Sequence, residues 1–384
     1  MPLTLHGIGT AVPIQRLSQA EAVQVAHRIN AESPKQKRLM SRIYQKTKVL
    51  SRGSVLLDRD AGRGTTQERL SFYGFENPGT AERMQAFETH AGPLALQAAS
   101  KALIDSEFSP GAITHLVTVS CTGFQSPGFD LFLIDKLELA PSVQRTHIGF
   151  MGCHGALNGL RVAHAFAEMD PKSVVLLCAV ELCSLHMAYG WHPEKVVANG
   201  LFADGAAAVV ASAKPSSSNP SLVLRRSGST VIPDSADLMN WEIGDNGFAM
   251  GLSPQVPDTV GAALLPWLRG WLKDQAVELE AVTSWAVHPG GPRILSTCSE
   301  VLSLDENLLI ESRGVLQEHG NMSSATILFI LERLRRRSLA GPCLALAFGP
   351  GLSAEVALFD IESREIPNNR LSSAVMTDAK GKGP

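Results

Sequence analysis

Short apolar segments alternate along the chain with longer segments of helical period. Runs such as residues 174–180 have the length of a strand, and their continuous apolar character is typical of strands buried on both faces of a sheet. The longer segments include one that starts at Cys153 and one that starts near Asn321. Strands that alternate with helices in this way predict an α/β fold built from layers.

The same order of patterns occurs twice. Residues 3–5 and residues 222–224 are short apolar runs that lead into "GIGTAVP" and "SGSTVIP". The later strands "ITHLVTVSCTG" and "AVTSWAVHPGG" both end on a polar residue and glycine, and each half closes with two apolar strands around a tight turn. This repetition predicts two duplicated halves that pack together.

The boundary between the halves lies in the polar stretch "AKPSSSNPS". We predict an N-terminal half over residues 1–213, a linker over 214–221 and a C-terminal half over 222–361. Residues 362–384 lack periodicity, and we expect a disordered tail there.

Composition and charge argue against several classes of function. The chain has 384 residues, of which 45% are hydrophobic, and 34 basic against 37 acidic residues give a net charge of −3. That balance gives no electrostatic reason to expect a nucleic-acid partner. No apolar run is long enough to span a membrane and no signal-peptide pattern is visible, so we expect a cytoplasmic protein. The six cysteines lack the spacing of a disulfide framework or a zinc site, so no metal is expected.

Cys153 lies in the glycine-rich segment "MGCHGALNG". The first turn of a helix presents unpaired N–H groups and the positive end of the helix dipole, which predicts a lowered thiol pKa and a nucleophile. A buried cysteine is also a small apolar residue that fills space. The pattern alone leaves both interpretations open.

His288 and Asn321 are the best partners for such a nucleophile. The adjacent His154 does not qualify, because successive residues of a helix point about 100° apart. His288 ends an apolar strand before Pro-Gly-Gly, where a loop can hold it in a cleft. Asn321 starts a helix, either as its cap or as an amide donor that stabilises an enolate together with an imidazole. Equivalent positions in two halves predict that the three residues meet at a pseudo-twofold axis.

Four motifs in this order carry a resemblance that covers roughly residues 1–361: "GCHGALNGLRVA", "HPGGPRIL", "GNMSSATILFIL" and "AFGPGLSAE". The segment "LFADGAAA" matches as well. The chain resembles bacterial type III polyketide synthases of the chalcone and stilbene synthase type. The resemblance implies a thiolase-like αβαβα layered fold.

The resemblance also implies an activity, namely iterative decarboxylative Claisen condensation of an acyl-CoA starter with malonyl-CoA, followed by cyclisation to a pyrone or a phenolic product. Cys153 would be the nucleophile and would form a thiolate–imidazolium pair with His288. His288 and Asn321 would hold the enolate oxygen. The family implies a homodimer, and neither a metal nor a redox cofactor takes part.

Further site residues follow from the same resemblance. The implied gatekeepers are Phe202 and Phe248. The implied cavity residues are Cys121, Ser126, Cys183, His186 and Ser323. The implied CoA-binding residues are Lys35, Arg38 and Arg42. Ser126 stands where plant relatives carry a methionine that reaches across the dimer interface, and such differences favour a fatty or short acyl starter over the plant substrate.

Other functions compete with this one. A β-ketoacyl carrier-protein synthase III shares the fold and the Cys, His and Asn set but condenses once, and the "FGPGL" and "NMSSA" segments argue against it. A thiolase needs a second cysteine as base, which the glycine-rich C-terminal loop lacks. An inactive partner subunit is disfavoured because all three reactive residue types are present.

Overall fold

The structure is a computed structural model that describes residues 1–58, 70–74, 76–106, 108–215, 220–337 and 339–362. The middle of the expected linker, 216–219, and the expected tail from residue 363 lie outside the described residues.

The strands are β1 Leu3–Ala11, β2 Arg16–Ser18, β3 Ser51–Gly53, β4 His115–Ser120, β5 Gln144–Gly149, β6 Val174–Leu182, β7 Asp204–Ser212, β8 Ser221–Val231, β9 Met239–Gly244, β10 Gly247–Leu252, β11 Ser284–Val287, β12 Gly341–Gly349 and β13 Ser353–Glu362. The α-helices are α1 Gln19–Asn30, α2 Pro34–Lys46, α3 Thr80–Ser106, α4 Phe129–Lys136, α5 Gly155–Met169, α6 Pro193–Leu201, α7 Val256–Asp274, α8 Pro292–Val301, α9 Ile310–His319 and α10 Thr326–Arg337. No helix in the described ranges combines the length and the apolar character that a bilayer crossing requires.

Nine strands form one sheet in the order β11-β12-β13-β8-β1-β7-β6-β4-β5. In the first half β4 and β6 are parallel, whereas β7 runs antiparallel to β6 and to β1. The second half repeats this arrangement, with β11 and β12 parallel and β13 antiparallel to β12 and to β8. The predicted duplication is therefore present in the topology. The two halves join where residues 3–5 of β1 pair with residues 222–224 of β8.

Three hydrophobic clusters define five layers. The largest cluster places α5 and α10 between the inner faces of the two half-sheets. A second cluster packs α3 and α4 on the outer face of the first half, and a third packs α7 and α8 on the outer face of the second. Every residue of β6 and β7 is buried, because helices cover both faces of these strands. The layers confirm the thiolase-like αβαβα fold.

This arrangement brings equivalent ends of the two halves together. The two central helices each start after a short 3-10 turn, Gly152–His154 before α5 and Ser323–Ala325 before α10, and these turns pack against each other. Cys153 lies in the first turn, Asn321 lies two residues before the second, and His288 follows β11. The two halves thus meet at the N-terminal ends of the two central helices, α5 and α10, where the sequence predicts a pseudo-twofold axis.

Candidate active site

Cys153 is held in a turn that requires glycine on one side. Gly152 has φ +77°, and a Cβ atom there would collide with Cδ of Pro350. The N–H of Gly152 donates to Sγ of Cys121 at 3.0 Å. Cys153 is therefore fixed between the end of β4 and the loop that follows β12.

Burial controls the protonation of the thiol. Cys153 is 9% exposed, and burial raises its pKa to about 12, with the nearby polar side chains of Ser323 and Asn321 lowering it and the field of Glu181 raising it. The expectation that a helix start lowers this pKa is wrong. Cys153 precedes α5, in the 3-10 turn, and the loss of water outweighs the effect of these polar side chains. Burial therefore favours the neutral thiol over the thiolate.

Asn321 follows a glycine with φ +79°, at Gly320, and its backbone is held on both sides. Its N–H donates to the Leu201 carbonyl, and its own carbonyl accepts from the N–H of Ala203, both at 2.9 Å. Its side-chain Oδ1 accepts from the N–H of Ser323 at 2.8 Å, so the amide oxygen acts as a local cap. The amide Nδ2 is buried without a partner and remains available as a donor.

His288 is an unpaired neutral imidazole. Its backbone N–H donates to the Leu346 carbonyl at 2.8 Å, and its side chain is buried with no hydrogen-bond partner on either ring nitrogen. Burial, and then the field of His154, lower the pKa of His288 to about 3. A buried ring with two unused nitrogens can accept one proton and donate another. Such unpaired polar atoms are costly in a core, which points to a ligand that satisfies them.

The predicted cavity residues converge in part. One cavity of about 80 Å³, called here the acyl cavity, is lined by Cys153. Five of the other predicted residues also line it, Cys121, Cys183, His186, Phe202 and Ser323. Phe202 forms an isolated β-bridge with Asn321, which ties the predicted gatekeeper to the amide donor.

Two predicted residues lie elsewhere. Ser126 is exposed and lines a separate surface groove beside Phe124, so within one protomer it does not line the acyl cavity. Phe248 is buried behind the wall: its ring stacks on His186 with centroids 4.2 Å apart, and its N–H donates to Nδ1 of His186 at 3.0 Å. Phe248 thus supports the wall rather than lining the cavity.

The predicted CoA-binding side chains point outward. Lys35, Arg38 and Arg42 are all exposed on α2. A second cavity of about 500 Å³, called here the mouth cavity, is lined by the end of that helix through Lys46 and by Gly290, Gly291 and Arg293. None of the three predicted cations lines this cavity. Met239 lines both cavities, and Leu201 of the mouth cavity precedes Phe202 of the acyl cavity.

Sequence reasoning missed Glu181. This fully buried residue of β6 accepts hydrogen bonds from the Cys121 N–H and from the hydroxyls of Thr122 and Ser324. Burial raises its pKa to about 7, although these hydrogen bonds lower it. A glutamate inside the apolar run "VVLLCAVELC" was the signal that could have found it. In the described ranges, no cluster of three or more His, Cys, Asp or Glu side chains could hold a metal ion.

Comparison with known proteins assigns the family. Residues 2–215 match the N-terminal domain of chalcone and stilbene synthases, and residues 223–361 match the C-terminal domain. The chain belongs to this family. It is a type III polyketide synthase, an acyltransferase that performs iterative Claisen condensation and cyclisation with acyl-CoA and malonyl-CoA substrates. Nothing among the relatives supports a carrier-protein synthase III.

Individual relatives agree with the assignment to type III synthases. The chain is 30% identical to the alpha-pyrone synthesis polyketide synthase-like Pks18 of Mycobacterium tuberculosis, over 94% of this chain and 91% of that protein. It is 30% identical to the 1,3,6,8-tetrahydroxynaphthalene synthase of Streptomyces griseus, over 92% of each. The crystal structure of PKS-I from the brown alga Ectocarpus siliculosus superposes with a TM-score of 0.87 at 30% identity, over 94% of this chain and 98% of that one.

Proposed function

We propose that this synthase loads an aliphatic acyl group onto Cys153 and extends it with malonyl units to an alkyl pyrone or an alkyl phenol. The choice of an aliphatic starter rests on how the polar side chains of the cavity wall are hydrogen-bonded. Both ring nitrogens of His186 are bonded, to the Thr122 carbonyl and the Phe248 N–H. Ser184 donates to Asp204, and the Tyr73 hydroxyl donates to the Ser184 carbonyl.

With these polar groups already paired, this part of the wall offers apolar surface to the starter, whereas the Tyr44 hydroxyl and Nε of Arg52, two other residues of the lining, are buried without a partner. Leu17, Val25 and Leu70 line the acyl cavity and belong to a hydrophobic cluster of their own. An alkyl chain gains free energy in contact with such a wall, whereas a hydroxylated aromatic starter would lose water there without new hydrogen bonds. Among the relatives, Pks18 is named for α-pyrone synthesis.

Loading requires a proton transfer, because burial favours the neutral form of both Cys153 and His288 in the free enzyme. As sulfur attacks the acyl-CoA carbonyl, His288 takes the thiol proton and then gives it to the departing CoA thiolate. The products of this step are the Cys153 thioester and free CoA. We propose that the transfer occurs during the attack, whereas the family resemblance implies a resident thiolate–imidazolium pair.

Extension uses the two unpaired donors. Malonyl-CoA loses CO₂, and the electron pair of the broken bond forms an enolate whose oxygen accepts from Nδ2 of Asn321 and from an N–H of His288. The enolate carbon attacks the thioester, the carbon–carbon bond forms and Cys153 leaves as thiolate. Every step uses protein side chains alone, so we propose that no metal or redox cofactor takes part.

The mouth cavity is the proposed route for CoA. Lys46 and Arg293 line it beside the backbone of Gly290 and Gly291. Cations near a cavity mouth suit CoA phosphates. This cavity meets the acyl cavity at Met239, next to Phe202, the proposed gatekeeper.

The test is product analysis by mass spectrometry. Purified protein is incubated with malonyl-CoA and hexanoyl-, palmitoyl- or hydroxycinnamoyl-CoA, with Cys153→Ala as the control variant. We expect alkyl pyrones or phenols containing two or more malonate units, a Cys153 acyl adduct, and neither in the variant. A preference for hydroxycinnamoyl-CoA would refute the aliphatic starter, and product formation by the variant would refute the nucleophile.

We also propose a homodimer formed along β5. This strand lies at one edge of the nine-stranded sheet, and Gln144, Arg145, His147 and Gly149 along it are exposed. Beside it Phe124, Phe150 and Met151 are exposed by 52%, 37% and 38%, a concentration of apolar surface that a second copy of the chain would cover. We expect Phe124→Asp to yield a monomer in light scattering, whereas Ile104→Asp, at a site 81% exposed on α3, should remain dimeric. A dimeric Phe124→Asp protein would contradict this interface.

A reducing compartment such as the cytoplasm is the proposed location. All six cysteines lie in the described ranges as free thiols, although Cys121, Cys153 and Cys183 line one cavity. Free thiols persist where the redox poise is reducing.

A further inference from the structure

His154 follows the nucleophile in sequence and is 2% exposed. Its Nδ1 lies 2.7 Å from the side-chain amide of Asn158, and its Nε2 lies 2.8 Å from Oγ of Ser353. In loading and extension, as proposed above, neither this ring nor Ser353 is a reacting group, although the field of His154 lowers the pKa of His288. The residue therefore needs an account of its own.

Proton counting fixes how the ring is bonded. Ser353 Oγ carries one proton and also lies 2.8 Å from the Pro350 carbonyl, which can only accept. Both contacts of Ser353 are hydrogen bonds only when its proton goes to Pro350 and the Nε2–H of His154 donates to Ser353. Burial lowers the pKa of His154 and so favours the neutral ring, in which Nδ1 is an acceptor when Nε2 is the donor.

Asn158 completes the chain of bonds. Its Nδ2 has no partner when Oδ1 faces the ring. Turning this amide by 180° places Nδ2 on Nδ1 of His154 and satisfies both atoms. One continuous chain of hydrogen bonds then runs from one N–H of Asn158 through His154 and Ser353 to the Pro350 carbonyl.

That chain of hydrogen bonds ends at Pro350, in a wall of the acyl cavity. Pro350 lines the cavity, and it packs on Gly152, next to the nucleophile. The His154 ring also lies against the backbone of Gly349, since a Cβ atom there would sit 2.6 Å from Nε2. The far end of the loop is held separately, where the Leu352 N–H donates to Ser235 at 3.1 Å. His154 therefore secures the side of the loop that faces the growing chain.

We propose that His154 is a positioning residue that, through Ser353, holds Pro350 as a fixed wall of the acyl cavity and thereby limits how many malonyl units are added before ring closure. The inference rests on the proposed loading of Cys153. A wall that can retreat leaves room for a longer chain, so loss of the contact raises the share of longer products. The loading step itself does not use the wall.

The test is a double-mutant cycle with the ratio of longer to shorter products as the readout. His154→Asn and Ser353→Ala each remove the ring-to-serine bond, and we expect each to raise that ratio at least threefold. The double variant should equal Ser353→Ala alone, because His154 reaches Pro350 only through the serine hydroxyl, and Ser353→Ala removes that hydroxyl together with its bond to Pro350. His154→Gln and Ser353→Thr, which retain a donor and a hydroxyl respectively, should restore the wild-type ratio.

A matched control is Ser229→Ala. It deletes a 2.8 Å hydrogen bond to Glu355 on the same strand as Ser353 but does not touch the loop, so the ratio should stay unchanged. A product ratio is insensitive to the fraction of folded enzyme, which separates positioning from stability. An unchanged ratio in Ser353→Ala, or additive effects in the double variant, would overturn the inference. Absence of a Cys153 adduct in the wild type would instead show that the proposed loading is wrong.

Discussion

Glu181 gives this fold a measurable dependence on pH. The carboxyl is fully buried between β4 and the start of α10, and burial raises its pKa from 4.5 to about 7. Between these two values the folded state binds more protons than the unfolded state, so this group lowers stability as pH rises. Replacing Glu181 by Gln keeps the shape and removes the titration.

The size of the effect follows from the two pKa values. At pH 5 the carboxyl is mostly protonated in the folded protein and destabilises it by about 0.8 kcal/mol. At pH 8 it is ionised, and the cost reaches about 3.3 kcal/mol. The difference in unfolding free energy between Glu181→Gln and wild type should therefore shift by about 2.5 kcal/mol in favour of the variant between pH 5 and pH 8.

Urea unfolding followed by tryptophan fluorescence at both pH values measures this shift. All other titrating groups are shared, so their contributions cancel in the difference between the two proteins. The amide nitrogen would face Ser324, whose hydroxyl can turn to accept, so the hydrogen-bond cost is the same at both pH values. A difference that does not change with pH would mean that Glu181 is not held protonated by burial, and the reasoning would fail.

Two further changes test the path of CoA and the support of the amide donor. Lys46→Ala should raise the KM for malonyl-CoA about fivefold with kcat retained, since an exposed charged contact contributes about 1 kcal/mol. The control Lys37→Ala, on the same helix, should leave both constants unchanged. Equal effects of the two variants would argue against the mouth cavity as the CoA route. In Gly205→Ala the new methyl would collide with Sδ of Met322, next to Asn321. We expect the free energy of unfolding, measured by thermal unfolding, to fall by about 1–3 kcal/mol and malonyl-CoA decarboxylation to slow. Full activity would contradict the proposed role of this packing.

The sequence by itself determined the layout and the reactive residue types. Strand and helix periods are properties of short windows, so the repeated halves and the layered α/β fold could be predicted from pattern. The same holds for the positions of Cys153, His288 and Asn321, because glycines and short polar motifs mark the ends of strands and helices where they lie.

Only the tertiary structure decided the pKa of the reactive side chains and which side chains line the cavities. The pKa of Cys153 rises because segments distant in sequence, including Ser323 and Glu181, enclose it, and no local motif records that loss of water. Lys46, unlike Arg38 on the same helix, lines the mouth cavity, because the other walls of that cavity come from remote loops. Burial and cavity shape depend on residues far apart in the chain. The sequence pattern could therefore predict where the reactive residues lie, whereas their pKa values depend on the complete fold.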